Sequence, residues 1–380
     1  MVRSGRQSPR LPAEQHAWNA SLRTDRFGNP IAPRHHSILL LDLERAPTAR
    51  DGEALEGVLR TLERAFPWSP TGLLFVLAWG PSYFERWLRR PSPVQAPKRL
   101  SPTESPLLQR FDACLHLACD DELRLSRVER SLLTGVDLRE ADAPVSLKRL
   151  FVVRDVRRGF VGSGLPAAHR GVAGVPRDAP IPREAPLFMG FKSGYARNQA
   201  TEEAVTVAGG PFAGGTTIHV SRIALSLDDW YGVLDERGRV GRMFAPQLAP
   251  ADVSRFRDDA PSLPGRLDEA ARRYGVVGHA QAAGQVRRGG RPLILRRDFD
   301  SVDGGRARVH FVSLQRSIGD FVRTREAMNA GRGSVLNPSI GPQINNGIAE
   351  WMVVEARANF LAPPRRTRAF PLLSEPHGHA

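Results

Sequence analysis

The stretch ACLHLACDDELRLSRVERSLL, residues 113–133, decides the fold. Its first seven residues make an apolar run of strand length, and ELRLSRVERSLL has the apolar spacing of a helix. On the carboxy-terminal side, KRLFVVRDV (148–156) reads as the next strand, and on the amino-terminal side GLLFVLAW (72–79) reads as the preceding one. GLLFVLAW leads into Gly80-Pro81-Ser82-Tyr83-Phe84, where the proline suits a first helical turn. Further upstream, DGEALEGVLRTLERAF places Leu55, Val58, Leu59, Leu62 and Phe66 at helical spacing, with Asp51 as the expected N-cap and Pro67 beyond the end. HHSILLLDL (35–43) is the first strand. The order strand, helix, strand, strand, helix, strand is the split βαβ, ferredoxin-like pattern, in which one helical layer packs on an antiparallel sheet.

The segment HRGVAGVPRDAPIPREAP (169–186) interrupts all periodicity with glycine and proline, so a domain boundary is expected there. Beyond it, strands are predicted at TTIHVSRIAL (216–225), RPLILRRDF (291–299) and ARVHFVSLQ (307–315). Helices are predicted around SLDDWYGVL, GRLDEAARRYG, IGDFVRTREAMN and GIAEWMVVEARANF. The second half can therefore repeat the architecture of the first, without self-similarity at the residue level. The expected division is a polar tail over 1–30, a ferredoxin-like domain over 31–168, a linker over 169–186, a second ferredoxin-like domain over 187–372 and a tail over 373–380.

With 380 residues at 41% hydrophobic composition, the chain can fill two or three cores without disulfide staples. Two cysteines cannot form a disulfide framework, and the arginine-bearing start lacks the apolar core of a secretory signal. No apolar run nears the roughly 20 residues that cross a bilayer, so a cytoplasmic protein without membrane spans is expected. The net charge of +14 raises the question of a polyanion partner, but only three of the 54 basic residues are lysine and the arginine pairs are scattered among acids. Without long like-charge runs or aromatic interleaving, a nucleic-acid face is not expected. Cys114, His116 and Cys119 lack a fourth ligand for a tetrahedral metal site.

Three segments of the second half resemble a known family. Gly190-Phe191-Lys192-Ser193-Gly194 resembles the GxxDG loop of the dye-decolorizing peroxidases, haem proteins built from two ferredoxin-like modules. GGTTIHVSRIALSLDDWYGVLDERGRVGRM (214–243) is similar to the segment after that loop in the family, and GHAQAAGQVRRGGRPLILRRDF (278–299) to its haem-ligand segment. In the first half LLLDL, LLFVLAWGPSYFERW and DACLHLACDD are also similar. The resemblance implies an α+β fold in which two ferredoxin-like modules combine in a dimeric α/β-barrel-type arrangement. It also implies a haem-dependent, peroxidase-like oxidoreductase that takes hydrogen peroxide and an organic electron donor. Assembly of copies is compatible with such modules, but none of these residues fixes a dimer.

The same resemblance makes His279 the proximal ligand of haem b, with a surface histidine after a helix end as the bland alternative. His219 and His310 compete less well, since both sit in predicted strands without a downstream arginine. Arg296 matches the distal arginine, and Arg297 should point to the opposite face of the strand. The family's loop carries an aspartate where this chain has Ser193, and a hydroxyl cannot serve as a carboxylate base near neutral pH. Asp298, two residues beyond Arg296 and on the same strand face, either substitutes for it or merely pairs with a neighbouring arginine. Lys192, Arg197, Asn198 and Arg242 are the candidates for haem propionate contacts. A haem carrier or sensor, or a cofactor-free protein of the same fold, is the alternative to an enzyme.

Overall fold

The computed structural model describes residues 11–25, 30–191, 199–252 and 266–373. Its first half contains β1 (His35–Leu43), α1 (Ala49–Ala65), β2 (Leu74–Trp79), β3 (Ala113–Cys119), α2 (Glu122–Thr134) and β4 (Phe151–Phe160). These strands pair antiparallel in the order β4-β1-β3-β2, with a helix in each crossover. The second half runs β5 (Thr216–Leu225), α3 (Glu236–Met243), α4 (Leu267–Tyr274), α5 (His279–Ala283), β6 (Leu295–Arg296), β7 (Phe299–Ser301), β8 (Arg308–Gln315), α6 (Ile318–Ala327) and β9 (Met352–Ala362). Its sheet has the matching order, β9-β5-β8, with the short β6 and β7 both on the far side of β8.

The two sheets join at both ends. Leu361 of β9 pairs with Trp79 of β2, and Asp300 of β7 pairs with Phe160 of β4. The strands β7-β4-β1-β3-β2-β9-β5-β8 thus return to β7 as one closed, barrel-like antiparallel sheet. This closure explains why β1 and β3 are continuous apolar runs, since each is covered on both faces. Leu39 and Leu41 face the layer of Leu55, Leu59, Leu62, Val128 and Leu132, whereas Ile38 and Leu40 face an interior core with Ile218, Val220, Phe299, Val312 and Phe360.

Four expectations are corrected. GIAEWMVVEARANF is not a helix: a single turn at Ala349–Trp351 leads into the long strand β9, paired along β5. Its β-branched Val353 and Val354 suit a pleated surface, and the pairing decides between two ambiguous periods. RPLILRRDF is not one strand, because Arg297 and Asp298 interrupt pairing between β6 and β7. The N-cap of α1 is Thr48, and Asp51 is its capping-box partner three residues later. Residues 11–25 are not a free tail: Trp18 is buried in the interior core, and Gln15 Nε2 donates to the carbonyls of Leu77 and Pro363. Among the described residues no helix is long and apolar enough to cross a membrane.

Candidate functional site

His279 begins α5, and the backbone around it is held by contacts from two other segments. A Cβ on the preceding Gly278 would stand 2.0 Å from the Phe244 carbonyl oxygen, so Phe244 and residue 278 approach as only glycine allows. On the other side Gly347, at φ +55, lies so close that a Cβ would meet His279 Cα at 2.7 Å. Val277 N–H donates to Asn345 O at 3.0 Å, and Gly347 N–H returns a bond to Val277 O at 2.6 Å. The Gly278 N–H donates to Gln281 Oε1 at 2.9 Å, closing the first turn.

The His279 side chain itself is half-buried, and no described residue hydrogen-bonds its ring. Desolvation by the surrounding protein lowers its pKa to about 4, helped by the positive charges of Arg296 and Arg325. The imidazole is therefore neutral at physiological pH with a nitrogen lone pair to offer, the form in which histidine binds metals.

Arg296 stands on β6 opposite Ser313, with its backbone N–H donated to Gln199 Oε1 at 2.8 Å. Strand alternation separates it from Arg297. Arg297 is buried on the interior face, stacked 3.8 Å over Trp18, where its Nη2 donates to Glu202 Oε1 at 3.0 Å and to His16 O at 2.6 Å. Among the described residues Arg296 keeps a single carboxylate neighbour, Asp298, whose Oδ2 is 4.0 Å from Nη1. Burial raises Asp298 to about 6 against the lowering influence of Arg296, and its Oδ1 is buried without a partner. A carboxyl in this condition changes protonation close to neutral pH.

Asp300 follows on the same face, fully buried and held well above the usual carboxylate range by desolvation. It accepts the Phe188 N–H, while Tyr231 Oη donates to Phe188 O at 2.6 Å and Trp230 Nε1 to Met189 O at 3.1 Å. These bonds anchor the chain on its way into residues 192–198. Lys192, Ser193, Arg197 and Asn198 lie outside the described residues. Arg242, on α3, donates to Asn345 Oδ1 at 3.0 Å beside the segment that clamps His279, and its Nη1 is buried without a partner.

Of the residues singled out from sequence, His279, Arg296 and Asp298 are brought to one electrostatic neighbourhood, and Arg242 lies against the clamp. His219 is fully engaged, donating Nδ1–H to Asn359 Oδ1 at 2.7 Å and meeting Ser221 Oγ at 2.6 Å through Nε2. Gly278, Gly347, Gln199, Asp300 and Arg325 were not foreseen. Only the glycines carried a signal, as a Gly-His pair and an Asn-Asn-Gly turn far apart in the chain. Among the described residues, the imidazole without a partner and the Arg242 Nη1 without one fit an iron porphyrin with acidic side arms.

A family model described as a family of unknown function (DUF7405) matches residues 33–364. No curated protein matches the chain. Among solved structures, a DyP-type peroxidase from Cellulomonas bogoriensis is 20% identical, with a TM-score of 0.58 over 93% of this chain and 94% of that one. The dye-decolorizing protein from V. cholerae is 17% identical, with a TM-score of 0.57 over 92% and 97% of the two chains. A variant of DypB from Rhodococcus jostii RHA1 in complex with heme is 14% identical, with a TM-score of 0.55 over 90% and 96%. At these identities the likeness is one of fold.

Proposed function

We propose that this chain, which belongs to the family of unknown function DUF7405, is a haem-dependent, peroxidase-like oxidoreductase that reduces hydrogen peroxide and oxidises an organic donor. One arrangement carries the proposal: the His279 imidazole has no hydrogen-bond partner among the described residues and is kept neutral by desolvation and the charge of Arg296, whose guanidinium stands 4.0 Å from Asp298. When bound, haem b supplies the redox chemistry, which no side chain of this site has by itself.

In this account His279 would hold the iron of haem b through its neutral imidazole, and the contacts of Gly278 and Gly347 set the backbone from which that side chain projects. Arg296 offers a permanent positive charge to the oxygen that becomes negative as the peroxide O–O bond breaks. Asp298 would accept a proton from the peroxide and release it again, a role suited to a carboxyl that titrates at about 6. Ser193 cannot share that work as a base, so the proton transfer rests on Asp298. Arg242 would hold a propionate through its Nη1, and Lys192, Arg197 and Asn198 are the further candidates for that role.

A haem carrier or sensor of the same fold is the competing reading, favoured by the serine at position 193. Peroxide turnover separates the two. Asp298→Asn should lower turnover by roughly 10²–10⁴-fold, the usual contribution of general acid–base catalysis, while Ser193→Ala changes it little. Equal and small effects of both substitutions would overturn the proton-transfer assignment, and absence of turnover in the unmodified haem-loaded protein would favour the carrier.

A further inference from the structure

The closed sheet has an interior face that the proposed haem site does not use. His310, at 1% exposure, and Arg157, at 2%, both lie on it. His310 stands directly opposite Arg222 across β8 and β5, and Arg157 stands opposite Ile38 of the interior core. Arg157 donates Nε–H to Asp155 Oδ2 at 3.0 Å and an Nη2–H to Gln109 Oε1 at 2.6 Å. Its remaining nitrogen, Nη1, is buried without a partner, and so are both ring nitrogens of His310. Of the three guanidinium charges that act on His310, that of Arg157 acts most strongly, ahead of Arg222 and Arg308.

Charge around these orphans does not balance. Arg157 and Arg222 share Asp155, the latter at 3.7 Å. Arg222, Arg306 and Arg308 share Glu355, at 3.1, 3.6 and 2.8 Å. Among the described residues four guanidiniums thus meet two carboxylates. A buried donor without an acceptor costs about 1–3 kcal/mol, and Arg157, the fully buried member of the four, adds the cost of a desolvated charge. Water would satisfy the donors but leave the charge. A group that answers both must accept hydrogen bonds and be negative. Arg222 and Arg306, with side chains 31% and 50% exposed, are the members of this group that reach solvent.

We propose that Arg157 and His310 form a binding site for a small oxyanion, of the phosphate or carboxylate class, just inside the rim of the closed sheet. The anion accepts from Arg157 Nη1 and from one N–H of the His310 ring, and it offsets the surplus of guanidinium charge. This site lies on the opposite sheet face from Arg296 and is independent of haem.

The test is a titration of the full-length protein, with histidine rings labelled for NMR, against inorganic phosphate and separately against acetate. Chloride at matched ionic strength is the control. A saturable, one-to-one shift of the His310 ring with either oxyanion, absent with chloride, is expected, and the anion that produces it identifies the class. Arg157→Lys should weaken calorimetrically measured binding by about tenfold or more, since lysine retains the charge but loses the forked donor geometry. If that variant does not fold, the titration of the unmodified protein stands alone. Ring shifts that are absent, or equal in chloride, overturn the proposal and assign the unpartnered groups to water.

Discussion

Replacing Asp298 with asparagine should make the protein more stable at alkaline pH, and the size of the gain comes from burial. In the folded protein this carboxyl titrates at about 6, against an ordinary 3.8. The folded state therefore binds the proton more tightly than the unfolded chain, so the stability tied to this group is present at low pH and is lost as pH rises through about 6. With about 1.4 kcal/mol for each pH unit between the two values, the full loss is about 3 kcal/mol, of which roughly 2 kcal/mol falls between about pH 4.5 and 8. Asparagine keeps the shape of the neutral acid without ionising. Urea unfolding of both proteins across that range should show the variant gaining on the parent by roughly 2 kcal/mol as pH rises. Parallel stability curves would refute the claim that Asp298 is a costly, desolvated carboxyl. Under the proposed function the gain should come with a loss of turnover, because the carboxyl that destabilises the fold is also the proposed proton carrier.

Other contacts lead to further expected outcomes. Gly347→Ala forces a left-handed residue against the His279 backbone, costing about 1–2 kcal/mol from the backbone conformation before the clash is counted, and haem affinity should fall with stability. Both are read by urea unfolding and haem titration. Arg368, fully buried, holds Glu56 and Glu63 through bonds at 3.0 Å. Arg368→Ala leaves both acids without it and should cost about 3–5 kcal/mol in the same unfolding assay. Thr48→Ala removes the α1 capping box and should cost about 1 kcal/mol, with no change in haem absorption.

The strands that sequence located residue for residue, β1, β3 and β5, are those whose burial leaves a continuous or alternating apolar imprint. The failure at 347–360 has the opposite cause. Trp351, Met352, Val353 and Val354 satisfy helical and strand spacing alike over so short a run, and only partner strands far away in the chain settle the matter. At the site, alternation was enough to put Arg296 and Asp298 on one face and Arg297 on the other. The rest was not legible, because it arises from folding. Gly347 meets His279 from a distant turn, and the elevated Asp298 pKa comes from desolvation that no local motif encodes.

The decisive measurement is the visible absorption of the purified full-length protein during titration with haem, alongside His279→Ala. The unmodified chain should saturate at one haem with a sharp Soret band, and the variant should lose that band or bind haem with the spectrum of an unligated iron. Identical spectra and affinities for the two proteins, or no uptake by either, would contradict the assignment of His279 as the ligand on which the site is built.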